Sequence, residues 1–337
     1  MNIIFSDDIK AKEALKLVKE LQERFVNKLN TLSKVNFEEV FWQRDEGKLG
    51  GGSRFEARDF EFFNTASVNV SQVHYPNKDK RLKSATAIST IIHPNNPHLP
   101  SIHMHISYTQ LRDEQSYYRI MADLNPSIKN KEDKKYFEKA LKEVSKDKYD
   151  EAKEQGDKYF FIPALNKHRG VSHFYLENYY TSNEKDDYTF AKEFGEKVID
   201  TYIEILSNAK DKRTTISNED KQMQLDYHTL YLFQVLTLDR GTTAGLLAHN
   251  QNDRGIMGSL PKFINKNLLL SWKEKVIKPQ DELVQNLVDN IEESGLVDIN
   301  TKTKLANCVR EHYKNHKEAL KLQASSDKKV HTVENHK

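Results

Sequence analysis

Residues 102–109 carry two imidazoles and two hydroxyls at alternate positions, His103, His105, Ser107 and Thr109, with Ile102, Met104, Ile106 and Tyr108 as their apolar counterparts. A period of two predicts a strand with one polar and one apolar face. Side chains two apart point the same way and lie roughly 7 Å apart along a strand. Both imidazoles and the Ser107 hydroxyl are therefore expected on one sheet face. Imidazole changes charge near neutrality, so such a pair suits proton transfer or ligand binding. A solvated face, or histidines each satisfied by a neighbour, fits the same spacing. Two further groups join this set. Asp123 closes an alternating run of Tyr117, Arg119 and Met121 just before Leu124-Asn125-Pro126, as a catalytic carboxylate or as the cap of the next helix. His173 shares a strand face with Val171, Tyr175 and Glu177.

The elements that must position these groups are legible as hydrophobic periods. Pro94, Pro97 and Pro100, with Asn95 and Asn96, predict a rigid turn ahead of the His-x-His strand. Between Arg54 and His93 the chain reads as successive strands, which argues for an antiparallel sheet. Leu15, Val18, Leu21, Phe25 and Leu29 stripe a packing helix, and residues 132–157 and 187–209 read as helices covering the sheet. Residues 225–239, apolar almost throughout, predict a central strand buried on both faces, and residues 255–261 a last short strand. Helices are expected over 283–291 and 303–320. The glycines at 50–52 would let backbone approach an anion, but they fit no phosphate-binding fingerprint. With no repeat and no linker, residues 1–320 read as a single α+β domain, a large antiparallel sheet covered by helices, and 321–337 as a polar, disordered tail.

Composition narrows the function classes. Over 337 residues, 52 Lys and Arg nearly balance 50 Asp and Glu, so no global field recruits nucleic acid or an anionic membrane. The single cysteine, Cys308, excludes an internal disulfide framework and a cysteine-based zinc site, and points to a reducing compartment. No apolar run is long enough to span a bilayer, and the first residues lack the pattern of a secretory signal. A cytoplasmic location is the expectation.

Six ordered segments carry a family resemblance: the glycine cluster with Ser53, the strand–turn–strand from Ser89 to His103, ADLNP at 122–126, RGVSHFYLEN at 169–178, LDRGT at 238–242 and GSLP at 258–261. Together they resemble the oxygen-dependent coproporphyrinogen III oxidases, whose sequences carry S-x-V-x-H-P-x-N-P, G-G-x-D-L-T-P, R-G-x-G-G and Y-D-R-G-T in that order. The resemblance implies a flat antiparallel sheet sandwiched between helices, a homodimer and a reaction without an organic cofactor. It implies use of dioxygen to decarboxylate two propionates of coproporphyrinogen III into vinyl groups, giving protoporphyrinogen IX in haem synthesis. By the same matching, Asp123 would take a pyrrole N–H proton, His103 would be the family's strand histidine and catalytic with it, and Arg240 the family's turn arginine, in a binding or a structural role; Ser89 and the remaining arginines Arg54, Arg119, Arg169 and Arg254 are the other candidates to bind substrate carboxylates.

Departures from the family pattern open other readings. An arginine expected on the His-x-His strand is Ser107 here, and a His-Arg pair before R-G-x-G-G aligns with Ala164 and Leu165. Histidines are gained elsewhere, His173 where the family has a glycine. His103, His105, Asp123 and His173 form a histidine and carboxylate set of the kind that holds iron or another divalent metal. Three functions are expected on this basis: the parent decarboxylation, a metal-dependent oxidase or oxygenase acting on another substrate, or tetrapyrrole binding without turnover. In each the partner is a small molecule.

Overall fold

The computed structural model describes residues 2–58, 61–112, 115–248 and 250–326. Helix α1 (Ile9–Ser33), capped by the Asp8 carboxylate, leads into six strands in succession. These are β1 (Glu38–Gln43), β2 (Gly50–Ala57), β3 (Phe63–His74), β4 (Leu82–Pro94), β5 (Ser101–Leu111) and β6 (Tyr117–Asn125). Helices α2 (Lys131–Ser145) and α3 (Tyr149–Tyr159) follow, then a small ribbon of β7 (Phe161–Ile162) and β8 (Lys167–His168), and the long strand β9 (Ser172–Tyr179). The C-terminal part is helical: α4 (Glu184–Lys210), α5 (Asn218–Thr237), α6 (Arg240–Ala248), α7 (Asp253–Ile256), α8 (Lys266–Leu270), α9 (Gln280–Asp289) and α10 (Ile299–Asn315).

Strands β1 to β6 pair antiparallel in sequence order and β9 adds beside β6, giving a seven-stranded sheet. Alternation along each strand separates two faces. Val68, Ile88, Ile106, Ile120 and Phe174 meet Leu21 and Phe25 of α1 and Phe194 and Val198 of α4 in one core. Each such side chain contributes about 1.5–3 kcal/mol on burial. The opposite face is largely polar, and α5 lies over it with a second core shared with α9 and α10. No helix among the described residues is long and apolar enough to cross a membrane.

Two expected strands are helices. Residues 225–237 of the expected strand 225–239 lie in α5, opened by a reciprocal capping box between Ser217 and Asp220, and Leu238 and Asp239 follow its end. Leu230, Leu232, Phe233, Val235 and Leu236 are all buried, because this helix runs between the sheet and the C-terminal helices. A helix apolar all round has no amphipathic period, so its sequence reads like a buried strand. Thr229 and Thr237 satisfy their hydroxyls inside it on the carbonyls of Leu225 and Phe233, at 2.7 and 2.6 Å. Residues 255–261, the other expected strand, form the end of α7 and a tight 3-10 turn over Met257–Ser259. The helix expected over 132–157 is two helices, broken where Lys146 takes a positive φ of 51°. Gly50–Ala57 is strand, with no room for an anion at its glycines: a Cβ at Gly52 would sit 1.9 Å from the Val70 carbonyl oxygen. Within the expected tail, Gln323 and Ser326 are buried, and Ser326 hydrogen-bonds Glu177; residues 327–337 lie outside the described residues.

Candidate active site

Cross-strand register turns the sequence alternation into transverse rows on the polar face. Ser67, Ile91, His103, Asp123 and His173 are successive partners across β3, β4, β5, β6 and β9. The next row is Asn69, Ser89, His105, Met121 and Tyr175, and beyond it stand Ser71, Ala87, Ser107 and Arg119. Neighbouring strands are about 4.8 Å apart, so each row places its side chains in reach of one another. Above the rows, Tyr159 from the end of α3, Tyr231 and Val235 of α5, and Asp239 enclose a cavity of about 270 Å³. Ser89, His103, His105, Ser107, Arg119 and Arg169 all line it.

Asp123 sits beneath this cavity, fully buried and off its wall. One carboxylate oxygen accepts from His103 Nδ1 at 2.7 Å; the other accepts from Arg169 Nη2 at 2.7 Å and Asn125 Nδ2 at 2.6 Å. Burial would raise its pKa, but the Arg169 charge and then His103 outweigh burial and hold it well below the usual carboxylate range. Asp123 is thus a fixed anion. Its bond to Nδ1 leaves Nε2 as the His103 nitrogen available to the cavity, and that side chain retains 15% exposure.

The expected substrate-binding arginines divide. Arg169 donates Nη1 to Gln234 at 2.6 Å and packs its guanidinium 4.5 Å from the Phe160 ring, so it is engaged with Asp123 and α5. Arg119 lines the cavity, and Tyr175, Tyr117, Tyr159 and Asp239 favour its charge against the cost of burial. Arg54 is on the same sheet face but bonds Glu56 through Nε at 2.8 Å and is off the cavity wall. Arg240 also lies off the wall, ion-paired with the buried Glu177 at the start of α6. Arg54 and Arg240 thus have carboxylate partners of their own away from the cavity wall.

Among the described residues, Asp239 is the carboxylate that reaches the cavity. It accepts from Thr242 N at 2.6 Å and from the Tyr159 hydroxyl at 2.8 Å. Burial pushes this carboxyl up, yet the hydrogen bonds from Thr242 and Tyr159 prevail and keep it below the ordinary value. The sequence did contain a signal for it. Tyr231, Val235 and Asp239 follow a spacing of four, one face of a helix, which the strand reading of 225–239 concealed. His105, over the sheet beside Arg119, is pushed down to about 3 by burial and then by the Arg119 charge, so it stands neutral.

The expected metal set does not assemble, although register brings three of its members into one row. His173 has an acceptor at each ring nitrogen, Asp157 at 2.8 Å and the Arg169 carbonyl at 2.7 Å, and Asp123 has both oxygens engaged. Ring nitrogens and carboxylate oxygens committed in this way have no lone pairs directed at a shared point. Among the described residues, no group of three or more His, Cys, Asp or Glu side chains is arranged to hold an ion.

The sequence profile of a family described as coproporphyrinogen III oxidase matches residues 13–292. The chain is similar to the mitochondrial oxygen-dependent coproporphyrinogen-III oxidase of Rattus norvegicus, with 29% identity over 282 residues, 76% of this chain and 62% of the rat protein. The Homo sapiens protein of the same description is 29% identical over 252 residues, 67% of this chain and 55% of its own length. The oxygen-dependent coproporphyrinogen-III oxidase of Drosophila melanogaster is 28% identical over 272 residues, covering 73% and 69%. The chain thus spans less than two thirds of the length of the rat and human relatives.

Proposed function

Because the chain belongs to the coproporphyrinogen III oxidase family, we propose that its polar-face cavity performs the oxygen-dependent decarboxylation of a porphyrinogen propionate. In that reaction each propionate side chain loses carbon dioxide and a hydride equivalent to become a vinyl group, while dioxygen takes up two electrons and two protons as hydrogen peroxide. The single observation that carries the reading is the pairing, within one cavity, of a histidine backed by a buried aspartate with a separate ionised carboxylate.

The geometry supports the following roles. Asp239 faces the cavity as an anion and accepts the pyrrole N–H, raising the electron density that makes the ring react with dioxygen. His103, its Nδ1 held by Asp123, presents Nε2 to move a proton at the reacting side chain. Arg119 meets a substrate carboxylate with a charge-assisted hydrogen bond, and Ser89, Ser107 and Asn69 line the floor with neutral donors. Oxygen uptake with coproporphyrinogen III, paired with identification of a vinyl product, tests the reading; absence of both in well-folded protein would reject it.

A specific observation favours a second substrate within the same chemistry. Among the described residues the cavity wall carries two arginines, Arg119 and Arg169, and Arg169 is bound to Asp123. That is few cations for a substrate with four propionates, and it favours a porphyrinogen with fewer carboxylates. Comparing turnover of porphyrinogens with two, three and four carboxylates separates the two. Homodimerisation and a cytoplasmic location belong to the same proposal, supported by the family and by the lone cysteine, and are checked by sedimentation and cell fractionation.

A further inference from the structure

The turn from Asn252 to Ser259 has two faces. Asn252, Gly255, Ile256 and Ser259 form part of the catalytic cavity wall. Asp253, Arg254 and Gly258 of the same turn face a separate cavity of about 300 Å³, closed by Glu56 and Arg58 at the end of β2 and by Lys302 in the first turn of α10.

Positive charge in and behind this second cavity exceeds its partners. Arg54 and Lys302 are 1% and 5% exposed, and Arg58 is partly buried. Glu56 accepts from both Arg54 Nε at 2.8 Å and Arg254 Nη2 at 2.5 Å. Asp253 is consumed by a two-pronged ion pair with Arg310. Glu38, also on the wall, is exposed and makes no ion pair among the described residues. Lys302 Nζ reaches the Leu260 carbonyl at 3.2 Å, and the Arg54 Nη2 nitrogen is buried with no acceptor. Among the described residues no carboxylate comes within 4.0 Å of Arg58 or Lys302.

Burying cations beside one shared carboxylate is costly unless further negative charge completes the set. We infer that this cavity binds a multivalent oxyanion, phosphate or dicarboxylate, clasped by Arg58, Arg254 and Lys302. Two guanidinium forks and an ammonium point charge are the side chains that recognise such oxygens. Burial and the neighbouring arginines lower the proton affinity of Lys302 and Arg58, as a site short of negative charge requires. An occupant joins β2, α10 and the turn through Arg254, on the outer side of the catalytic cavity wall.

The test is thermal unfolding of the full chain titrated with inorganic phosphate, with malonate, and with chloride at matched ionic strength. Phosphate or malonate is expected to raise the melting temperature saturably, by about 2–4 °C, with chloride giving no saturable rise. A response to one of the two names the oxyanion. In Arg58→Gln the affinity should fall at least about tenfold, the loss of one charge-assisted contact. Lys302→Met should melt higher without anion and lose the response, a sign that loss of ordinary packing does not produce. The response should persist in Arg119→Gln, whose side chain faces the catalytic cavity. A rise matched by chloride, an undiminished response in Arg58→Gln, or its loss in Arg119→Gln would overturn the inference.

Discussion

His103 Nδ1 donates to the Asp123 carboxylate at 2.7 Å from the neighbouring strand, and the same carboxylate receives Arg169 Nη2 at 2.7 Å. One buried anion thereby orients the histidine and neutralises the arginine. The family-derived expectation makes Asp123 a base in contact with substrate; its burial beneath the cavity supports the proposal that it acts by positioning His103.

Asp123→Asn tests that role. The amide keeps the shape but removes the charge, freeing the histidine tautomer and leaving Arg169 without its counterion. Turnover should fall roughly a hundred- to ten-thousandfold, with a small change in KM. The check is oxygen uptake alongside circular dichroism; unaltered kcat would remove Asp123 from the mechanism.

Arg119→Gln should act on binding. Losing one charge-assisted hydrogen bond to a carboxylate lowers kcat/KM about ten- to a hundredfold. The loss should appear mainly in KM for the carboxylated porphyrinogen. An equal loss of kcat at saturation would instead assign Arg119 to the chemical step.

His173→Gln should be a stability variant. Both ring nitrogens make hydrogen bonds to oxygen, and the side chain is 5% exposed. Denaturant unfolding should show a loss of about 1–3 kcal/mol, and metal content of the purified protein should be unchanged. A sharp drop in bound metal would restore the histidine set as a metal centre.

Acid should destabilise the fold well before its carboxylates are all protonated. Burial pushes His105 and His228 to about 3 and His312 to about 4, from roughly 6.5 in the unfolded chain. Because these folded-state values are depressed, the unfolded chain binds protons first. Their stabilisation is complete above about pH 6.5 and is lost as pH falls toward 3, by up to about 1.4 kcal/mol per pH unit for each histidine. Urea midpoints should drop from pH 7 to pH 5, and less steeply in His228→Asn. Equal midpoints at the two pH values would contradict the burial of these rings as neutral groups.

What the sequence determined by itself is the local order of the sheet and the face that carries the chemistry. Alternation in 102–109 and 117–123 is a property of neighbouring residues: it put His103, His105 and Ser107 on one face of their strand and Arg119 in line with Asp123 on the next, and the β5–β6 register joins the two. The tertiary structure decided the rest. Residues 225–237 are helical, and 227–237 are buried on every side, between the sheet and the C-terminal helices, which removes the period that separates helix from strand. Arg54, Arg169 and Arg240 turn to Glu56, Asp123 and Glu177 because long flexible side chains settle on whichever partner folding brings near, and those partners come from register and packing. Asp239, read in the sequence only as part of the LDRGT turn, gained its place at the cavity when α5 and α6 closed over the sheet.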